Sequence, residues 1–372
     1  MIDPVTDPSI EGAGPRLQVV GAGLLGTSVG LALAHTPWRV WLADADPAAE
    51  ALAEELGAGQ AGWSSEAVDL VLLAVPPAAV GAAMEEAKRL FPYATVSDVC
   101  SIKTQPLQEA ERLGLSKRFV GGHPMAGRER AGGVAAQADL FNARPWAICP
   151  TDDSEAARVD LVEQLARDCG ADPLRLDAQT HDAAVALVSH LPHVAASAVA
   201  RQLGDADAIT MDLAGPGLRD TVRVAGGDPN LWTQILAGNA GAVAPLVRRM
   251  AVELSDLAET LTAGSADPSS ANRQVDKELE RFLSGGQSGH AAIPGKHGAV
   301  PAEYTVIPVV IADEPGALAR LFTTVAKAGA SVEDIALEHS PGHPVGIIEL
   351  SVQPSQADDL LVALQSDGWS HH

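Results

Sequence analysis

The sequence predicts an α/β domain with a doubly wound parallel sheet, followed by an all-helical domain and a small α+β domain. Short apolar segments alternate with helical segments up to about residue 180, which is typical of a parallel sheet with crossover helices. Strand signals are absent from residues 181–282, where Ala, Leu and Val recur at helical spacing. A glycine-rich segment precedes a third set of strands and helices. We expect a flexible tail at residues 1–15, domains at 16–180, 181–283 and 303–372, and a linker at 284–302.

Length and charge agree with a soluble protein of several domains. The chain has 372 residues, 47% of them hydrophobic, which exceeds what one core usually supports. Its formal net charge of −23 disfavours binding to nucleic acids and anionic membranes. The longest uncharged apolar stretch, Leu70 to Met84, is too short to span a bilayer.

Sequence features related to localisation predict a cytoplasmic protein. The segment Met1 to Pro15 lacks the basic and apolar parts of a secretory signal. Cys100, Cys149 and Cys169 are odd in number and lack zinc-ligand or CxxC spacing, which favours reduced thiols. We expect no metal site, because the sequence shows no cluster of metal-ligating residues.

The first domain opens with a strand, a helix and a second strand. These elements are predicted at Leu17 to Gly21, Gly26 to Ala34 and Arg39 to Ala43. Further buried strands are predicted at Val68 to Val75, Thr95 to Asp98 and Phe119 to Val120.

A glycine-rich turn between the first strand and the first helix matches the GxGxxG pattern of dinucleotide-binding sites. Its residues are Gly21, Ala22, Gly23, Leu24, Leu25 and Gly26. In this pattern the first glycine permits a tight turn, the second lets the backbone approach a pyrophosphate, and the third lets helix and strand pack closely. The helix N-terminus then faces the phosphate charge. The strand–turn–helix context predicts a Rossmann-like dinucleotide site.

An acidic residue after the second strand favours NAD over NADP. Asp44 lies 18 residues after Gly26. This is close to the spacing of ~20 expected for the acid that binds the adenosine ribose hydroxyls. A carboxylate there repels the 2′-phosphate of NADP. Asp46 is the rival candidate, but its position before Pro47 is more typical of a helix start. Val75, at the end of the third strand, is the remaining cofactor-binding candidate.

Polar residues follow two neighbouring strands at the sheet edge where ligands collect in such folds. The segment Asp98 to Lys103 leaves one strand, and Gly121 to Gly127 leaves the next. Ser101 and His123 therefore reach the same edge as the glycine-rich turn. A lone histidine in a loop is usually structural or exposed. His123 is flanked by glycines and followed by proline after a buried strand, which favours a catalytic role.

A nearly apolar helix predicted from His181 to about Leu203 carries a line of polar residues. On the helical wheel, Ser189 and His193 each lie about 20° from Asp182. Because unpartnered buried polar groups are costly, this line should face a hydrogen-bond network or a wet site. The alternative is local: Asp182 stabilises the helix N-terminus and Ser189 bonds to its own helix.

Two arginines beside a glycine turn are candidates for binding carboxylates. Arg219 and Arg223 lie in the segment Gly215 to Ala225, which also holds Asp220, and Trp232 follows shortly after it. Surface solvation is the usual alternative for any single arginine.

Together these motifs resemble the prephenate and arogenate dehydrogenases. The resemblance covers about Leu17 to Phe282 and rests on five motifs in order. They are the GxGLLG turn, the D-x-x-S-x-K segment, the GGHPMAG loop, the SHLPH helix, and the GxGLRDTxR run with its following DPxxW. Pro216 departs from the pattern, since the family more often has glycine there.

The resemblance implies roles for the matching residues. His123 would accept a hydrogen bond and then the proton from the ring hydroxyl of the substrate. Ser101 would orient that hydroxyl and the nicotinamide, Arg223 would hold a carboxylate, and His193 would be a third catalytic residue. The other substrate-binding residues would be Glu129, Asp182, Ser189, Asp220 and Trp232.

The implied reaction is the NAD-dependent oxidative decarboxylation of prephenate to 4-hydroxyphenylpyruvate in tyrosine biosynthesis. Neutral imidazole suits the base because its pKa of ~6.5 lies near working pH, and arginine suits a dianionic substrate. Arogenate, with an amino group in place of the side-chain ketone, is the alternative substrate. A β-hydroxyacid or imine reductase would not need SHLPH together with Arg223. A non-catalytic NAD and amino-acid sensor would not need His123 and Ser101.

One helix of the second domain has an apolar face that is expected to pack against another part of the protein. Its residues recur at steps of three and four. They are Val243, Leu246, Val247, Met250, Leu254, Leu257 and Leu261. The cover comes from the same subunit or from a second one, and we expect a homodimer because homodimers are common among soluble enzymes.

The C-terminal segment predicts the order βαββα. Strands are expected at Tyr304 to Ile311, Ser331 to Glu338 and Val345 to Val352, with helices at Ala317 to Ala328 and Gln356 to Gln365. This order and the D-E-P-G-A-L turn resemble an ACT domain, a regulatory module that often binds amino acids where two copies meet.

The ACT resemblance implies an amino-acid site at Asp313, Pro315 and Gly316. Their turn would present backbone N–H groups to a ligand carboxylate. The implied effector is tyrosine or phenylalanine, and we expect tyrosine because it is the product of the pathway. Gly368 to His372 leaves little room for the usual final strand. A module that serves only in assembly is therefore the alternative.

Overall fold

The computed structural model describes residues 14–127, 132–266, 272–293, 304–339 and 345–371. The chain divides into two compact units, Met1–Ala251 and Val252–His372. Each unit is described by itself.

An eight-stranded sheet forms the centre of the first unit. Its strands are β1 Arg16–Val20, β2 Arg39–Ala43, β3 Gln60–Ala61, β4 Leu70–Leu73, β5 Thr95–Asp98, β6 Phe119–Pro124, β7 Pro145–Pro150 and β8 Asp172–Arg175. Their order is β3-β2-β1-β4-β5-β6-β7-β8, with parallel pairing from β3 to β6. The order changes direction between β1 and β4, and this switch point is where such sheets bind ligands.

The edge beyond β6 differs from the parallel sheet that the sequence predicts. β7 pairs antiparallel with β6, and β8 pairs parallel with β7. The residues described between β6 and β7 include only a short 3₁₀ turn, Gly133–Ala135. A parallel return would need a long crossover, usually a helix, so the chain comes back antiparallel.

Helices cover both faces of this sheet. They are α1 Leu24–Leu33, α2 Pro47–Glu55, α3 Val80–Leu90, α4 Thr104–Arg112 and α5 Ala156–Asp168. On β4, Leu70 and Leu72 belong to the core that holds α1 and α5, whereas Val71 and Leu73 belong to the core that holds α3 and α4. Alternate residues of one strand thus enter opposite cores, as a doubly wound sheet requires.

The rest of the first unit is helical. It contains α6 Ala178–Val185, α7 Leu191–Gln202, α8 Ala208–Asp212, α9 Pro216–Val222, α10 Pro229–Gly238 and the start of α11 Ala240–Ala266.

The single regular helix predicted from His181 to Leu203 was wrong in detail. The helical run begins at Ala178, and a π-helical turn, Ala186–His190, joins α6 to α7. Pro192 has no N–H for the carbonyl four residues earlier and its ring crowds that carbonyl, which explains the wider turn. The extra residue changes the angles read from a regular helical wheel.

The combined run Ala178–Gln202 has the length and mean hydropathy of a membrane-spanning helix, although only 28% of its apolar window is buried. One such helix is weak evidence for a membrane. This one carries four buried titratable residues that contact the sheet or neighbouring helices: His181, Asp182, His190 and His193.

The second unit begins within α11 and continues with α12, Asn272–Ala291. Residues 284–291 were predicted as part of a flexible linker but are helical. Glycine lowers helix stability by only about 1 kcal/mol per residue relative to alanine. The preceding run from Asp276 to Phe282 is rich in good helix formers, so the helix continues through the glycines.

A four-stranded antiparallel sheet with two helices completes the second unit. The elements are β9 Thr305–Ala312, α13 Ala317–Lys327, β10 Val332–His339, β11 Val345–Val352, α14 Pro354–Ser366 and β12 Ser370–His371. The strand order is β10-β11-β9-β12. β12 is the final strand that the sequence left little room for, and it pairs with β9 over two residues. Both helices pack on one face of the sheet.

Candidate functional site

The glycine-rich turn lies after β1, at the switch point of the sheet. Gly21 has φ +107°, and a Cβ added there would lie 2.3 Å from the carbonyl oxygen of Ala74. A Cβ on Gly26 would lie 1.9 Å from the carbonyl oxygen of Gly21. Around Gly23, no described atom lies within 4 Å of an added Cβ. The turn therefore has two close approaches and one open backbone position, which fits a pyrophosphate at the start of α1 (Leu24, Leu25).

Asp44 stands beside this turn, whereas Asp46 does not. The carboxylate of Asp44 accepts hydrogen bonds from the backbone N–H of Ala22 at 2.7 Å and from that of Asp46 at 2.9 Å. Asp46 instead caps α2, because its side chain accepts from the N–H of Ala48 at 3.0 Å. A carboxylate has about four acceptor sites, so Asp44 can still accept from two ribose hydroxyls.

Val75 also borders the turn. It follows β4, and its Cγ1 lies 3.2 Å from the position of a Cβ added to Gly21. The Cys100 thiol donates to the Val75 carbonyl oxygen at 3.6 Å. Burial raises the pKa of Cys100, which keeps this thiol protonated and unreactive.

A fully buried ion pair joins the two strand ends that carry Ser101 and His123. The ammonium of Lys103 donates to the carboxylate of Asp98, and neither side chain is exposed to solvent. The same ammonium donates to the carbonyl oxygen of Gly122 at 2.6 Å, and the Gly122 N–H donates to Asp98 at 3.2 Å. Lys103 thus fixes the segment after β5 against the residue that precedes His123.

His123 belongs to a buried chain of three side chains. Its Nδ1 lies 2.8 Å from Nε2 of His181, and Nδ1 of His181 lies 2.8 Å from Oδ1 of Asp182. Asp182 also accepts from the backbone N–H groups of Lys103 at 2.8 Å and Thr104 at 2.9 Å, at the start of α4. The aspartate therefore anchors α6 to α4 and positions His181.

The electrostatics of this chain favour neutral imidazole and ionised aspartate. Burial, together with the nearby His181 and Lys103, lowers the pKa of His123 well below its usual value. Burial alone would raise the pKa of Asp182, but hydrogen bonds from His181, Thr104 and Lys103 outweigh it and lower that pKa to about 2. His123 is therefore available as a base at neutral pH.

Two further buried histidines, His190 and His193, lie along the same helical run, and the buried Asn239 lies at the end of α10. The ring of His193 stacks on Trp232 with centroids 3.6 Å apart and an interplanar angle of 12°. Nδ1 of His193 is buried and has no hydrogen-bond partner among the described residues. Asn239 donates to the Asp182 carbonyl oxygen at 2.7 Å and lies 3.2 Å from Nδ1 of His190. Burial lowers the pKa of His190 to about 4.

The remaining predicted residues are more exposed. Ser101 is half-buried after β5, and Ser189 is half-buried in the π-helical turn. Asp220 and Arg223 are exposed, on α9 and in the 3₁₀ turn after it. Glu129 lies outside the described residues. The sequence reasoning missed His181, Lys103 and Asn239 as site residues. The adjacent His-Asp pair at the start of a nearly apolar helix was the available signal for His181.

Comparisons with known proteins identify the family of this chain. A family model described as prephenate dehydrogenase, nucleotide-binding domain, matches residues 29–175, and one described as prephenate dehydrogenase, dimerization domain, matches residues 177–280. The chain is 36% identical over 355 residues to a protein named probable prephenate dehydrogenase NovF from Streptomyces niveus. That match covers 94% of this chain and 98% of the relative.

Two solved structures are similar in fold and sequence. The prephenate dehydrogenase from A. aeolicus, in complex with hydroxyphenyl propionate and NAD⁺, has a TM-score of 0.67 and 25% identity, covering 76% of this chain and 99% of that chain. Synechocystis arogenate dehydrogenase has a TM-score of 0.61 and 26% identity, covering 74% of this chain and 99% of that chain. The two family models together match more than half of the sequence, and the chain therefore belongs to the prephenate dehydrogenase family.

Proposed function

We propose that this protein is an NAD-dependent prephenate dehydrogenase that converts prephenate to 4-hydroxyphenylpyruvate and carbon dioxide. The observation that carries the proposal is the buried, neutral imidazole of His123 at the sheet edge that also bears the glycine-rich turn and Asp44. A base of this kind, held beside a dinucleotide site, suits removal of a hydroxyl proton during hydride transfer.

In the proposed reaction His123 accepts the proton of the ring hydroxyl while hydride leaves the carbon that bears it. The glycine-rich turn and Asp44 would hold NAD⁺, which would supply the hydride acceptor when bound. Loss of the opposite ring carboxylate as carbon dioxide then makes the ring aromatic, and the proton on His123 can return to the phenolic oxygen. Ser101 orients the hydroxyl and the nicotinamide, and Arg223 pairs with a substrate carboxylate. His193, Ser189, Asp220, Glu129 and Trp232 complete the proposed substrate site.

The family resemblance implied that Asp182 binds the substrate, whereas its contacts support a different function. Its carboxylate already accepts from two backbone N–H groups and lies against His181. It is only 5% exposed. We therefore propose that it supports the catalytic histidine from behind, with any effect on substrate affinity being indirect.

The test is turnover of the purified protein on prephenate and on arogenate, each with NAD and with NADP, followed by NADH absorbance. We expect NADH and 4-hydroxyphenylpyruvate from prephenate, with NAD preferred because of Asp44. Faster turnover of arogenate would change the assigned substrate, and equal turnover with NADP would contradict the assigned function of Asp44. Absence of turnover on both substrates would sink the enzymatic proposal.

We propose a homodimer that uses the helical region. The matching family model is described as a dimerization domain. Within the second unit, α11 and α12 expose large apolar side chains, including Leu254 at 51%, Leu261 at 52% and Leu283 at 67%. Water-exposed apolar side chains in this number are typical of a surface that another chain covers. Sedimentation of the purified protein tests this, and a monomer at micromolar concentration contradicts it.

We propose the domain division 16–180, 181–283 and 303–372, in a soluble cytoplasmic enzyme, with the last domain an ACT-like sensor of tyrosine or phenylalanine. Gly316 caps α13 with φ +87°, and Asp313 and Pro315 are exposed in the same turn. Such a turn at a helix start can bind a carboxylate.

The sensing proposal is tested by titrating tyrosine and phenylalanine against the intact chain and against a chain ending at Ile293, beyond α12. We expect tyrosine to change the rate of the intact chain only, with a coupling of ~1–3 kcal/mol. If neither amino acid affects the intact chain, the domain serves assembly alone. If the shortened chain responds equally, inhibition belongs to the active site.

A further inference from the structure

We propose that His181 is a positioning residue that fixes the tautomer of His123, so that Nε2 of His123 is the atom that accepts the substrate proton. The expected effect on catalysis rests on the proposed function. The tautomer itself is inferred from the contacts among His123, His181 and Asp182.

The tautomers of His181 and His123 can be derived in turn, beginning at the carboxylate of Asp182. Ionised Asp182 only accepts hydrogen bonds, so the proton between it and His181 sits on Nδ1 of His181. With its proton on Nδ1, His181 can accept at Nε2 from Nδ1–H of His123 across 2.8 Å. The proton of neutral His123 is thereby held on Nδ1, and Nε2 keeps its lone pair. Each step uses the one donor and one acceptor that a neutral imidazole has.

Burial supports this assignment. His181 is 1% exposed and Asp182 is 5% exposed, so water has little access to either side chain as an alternative partner. A His123 tautomer with the proton on Nε2 would place two lone pairs against each other at 2.8 Å and leave a buried acceptor unpaired. An unpaired buried polar group destabilises the protein, because it loses its hydrogen bonds to water without gaining another partner.

The other groups near His123 do not replace His181. Lys103 has its ammonium on Asp98 and the Gly122 carbonyl oxygen. His190 lies against Asn239. The His123 and His181 rings meet edge to face, with centroids 5.1 Å apart and an interplanar angle of 70°. This edge-to-face contact fixes the orientation of the His123 ring as well as the position of its proton.

Two variants separate positioning from simple structural support. His181→Leu fills a similar volume without an acceptor. His181→Gln retains a carbonyl oxygen that can accept from Nδ1–H of His123. It lacks the aromatic ring that connects His123 to Asp182. His35→Leu is the matched control, because His35 is exposed in the turn after α1.

The direct readout is the ring-nitrogen NMR spectrum of histidine-labelled protein, in which the His123 signals are identified by their loss in His123→Asn. We expect Nδ1 of His123 to be protonated in the wild type, in His181→Gln and in His35→Leu, and the proton to move toward Nε2 in His181→Leu. A wild-type His123 protonated on Nε2, or a His181→Leu protein that keeps the wild-type tautomer, would overturn the proposal. If His181→Leu does not fold, the wild-type and His181→Gln spectra still decide.

Kinetics provide the second readout. A histidine held in the wrong tautomer cannot accept the proton, so kcat should fall on the order of 10²-fold in His181→Leu with KM little changed. His181→Gln should recover most of this loss. Equal losses in both variants would contradict the proposal. The NMR result does not depend on the substrate, so failure of the proposed prephenate reaction remains distinguishable from failure of the proposed tautomer control.

Discussion

Replacing Lys103 by Met tests the buried ion pair that holds the strand ends of the site together. The variant keeps most of the side-chain volume but removes the ammonium, which donates to Asp98 and to the Gly122 carbonyl oxygen. Asp98 keeps two donors, the N–H groups of Cys100 at 3.0 Å and Gly122 at 3.2 Å. Its carboxylate nevertheless becomes a buried charge without a counter-charge.

The magnitude follows from that uncompensated charge. Removing one partner of a buried pair costs about 3–5 kcal/mol. For a folded unit of this size, each kcal/mol lowers the melting temperature by roughly 2–4 °C, so a fall of about 6–20 °C is expected. Lys88→Met is the matched control, since exposed Lys88 donates one hydrogen bond to the Leu113 carbonyl oxygen at 2.6 Å. Its loss should cost about 1 kcal/mol.

Thermal unfolding followed by circular dichroism measures both variants. A double variant, Asp98→Asn with Lys103→Met, checks the cause, because a neutral amide needs no counter-charge and should recover part of the lost stability. If Lys103→Met melts as Lys88→Met does, or if the double variant is no more stable than Lys103→Met, the explanation by an unpaired buried charge is wrong.

Three further predictions concern activity and one concerns stability. His123→Asn keeps hydrogen bonding but removes the base, so kcat should fall ~10²–10⁴-fold with substrate still bound, and near-normal turnover would refute its role. Arg223→Ala should raise KM for prephenate about 10-fold to 100-fold through loss of a charge-assisted bond, and an unchanged KM would shift the assignment to Arg219. Because the neutral form of His123 is active and its pKa is lowered, the acid limb of kcat/KM should lie below pH ~6.5. His190 has a folded pKa of about 4, so the unfolded chain binds more protons below pH ~6.5 and the melting temperature should fall as pH drops from there toward 4. A flat melting profile over that range would contradict this.

The sequence predicted the parts of the fold that depend on local periodicity. The strands at 39–43 and 95–98 were predicted at their observed bounds, and β1, α1 and β4 within a few residues. β7 and β8 were missed because β8 is largely exposed and β7 returns antiparallel, so neither fits a pattern of alternating buried strands and helices. The linker prediction failed at 284–291 because glycine content reports a cost to helix formation but not whether neighbouring residues offset it.

The candidate site was predictable where chemistry is carried by a motif and less so where it depends on packing. The helix start at Asp46 was predicted correctly, because the proline after it marks such a position. The contact between His123 and His181 joins positions 58 residues apart, and no local signal gives its distance. The polar line of Asp182, Ser189 and His193 was inferred from a regular helix. Because the π-helical turn interrupts this helix, the angles of a regular helix do not apply to these three residues.

The π-helical turn also explains how one helical run serves two purposes. Before the turn, α6 presents His181 and Asp182 to the sheet strand that bears His123 and to the start of α4. After it, α7 presents His193 to Trp232. A regular helix would fix the angle between these two faces, whereas one added residue rotates the second face by roughly 100° relative to the first. The proton acceptor therefore comes from the sheet domain while the groups that orient it come from the helices, and the proposed base is complete only when the two are packed together.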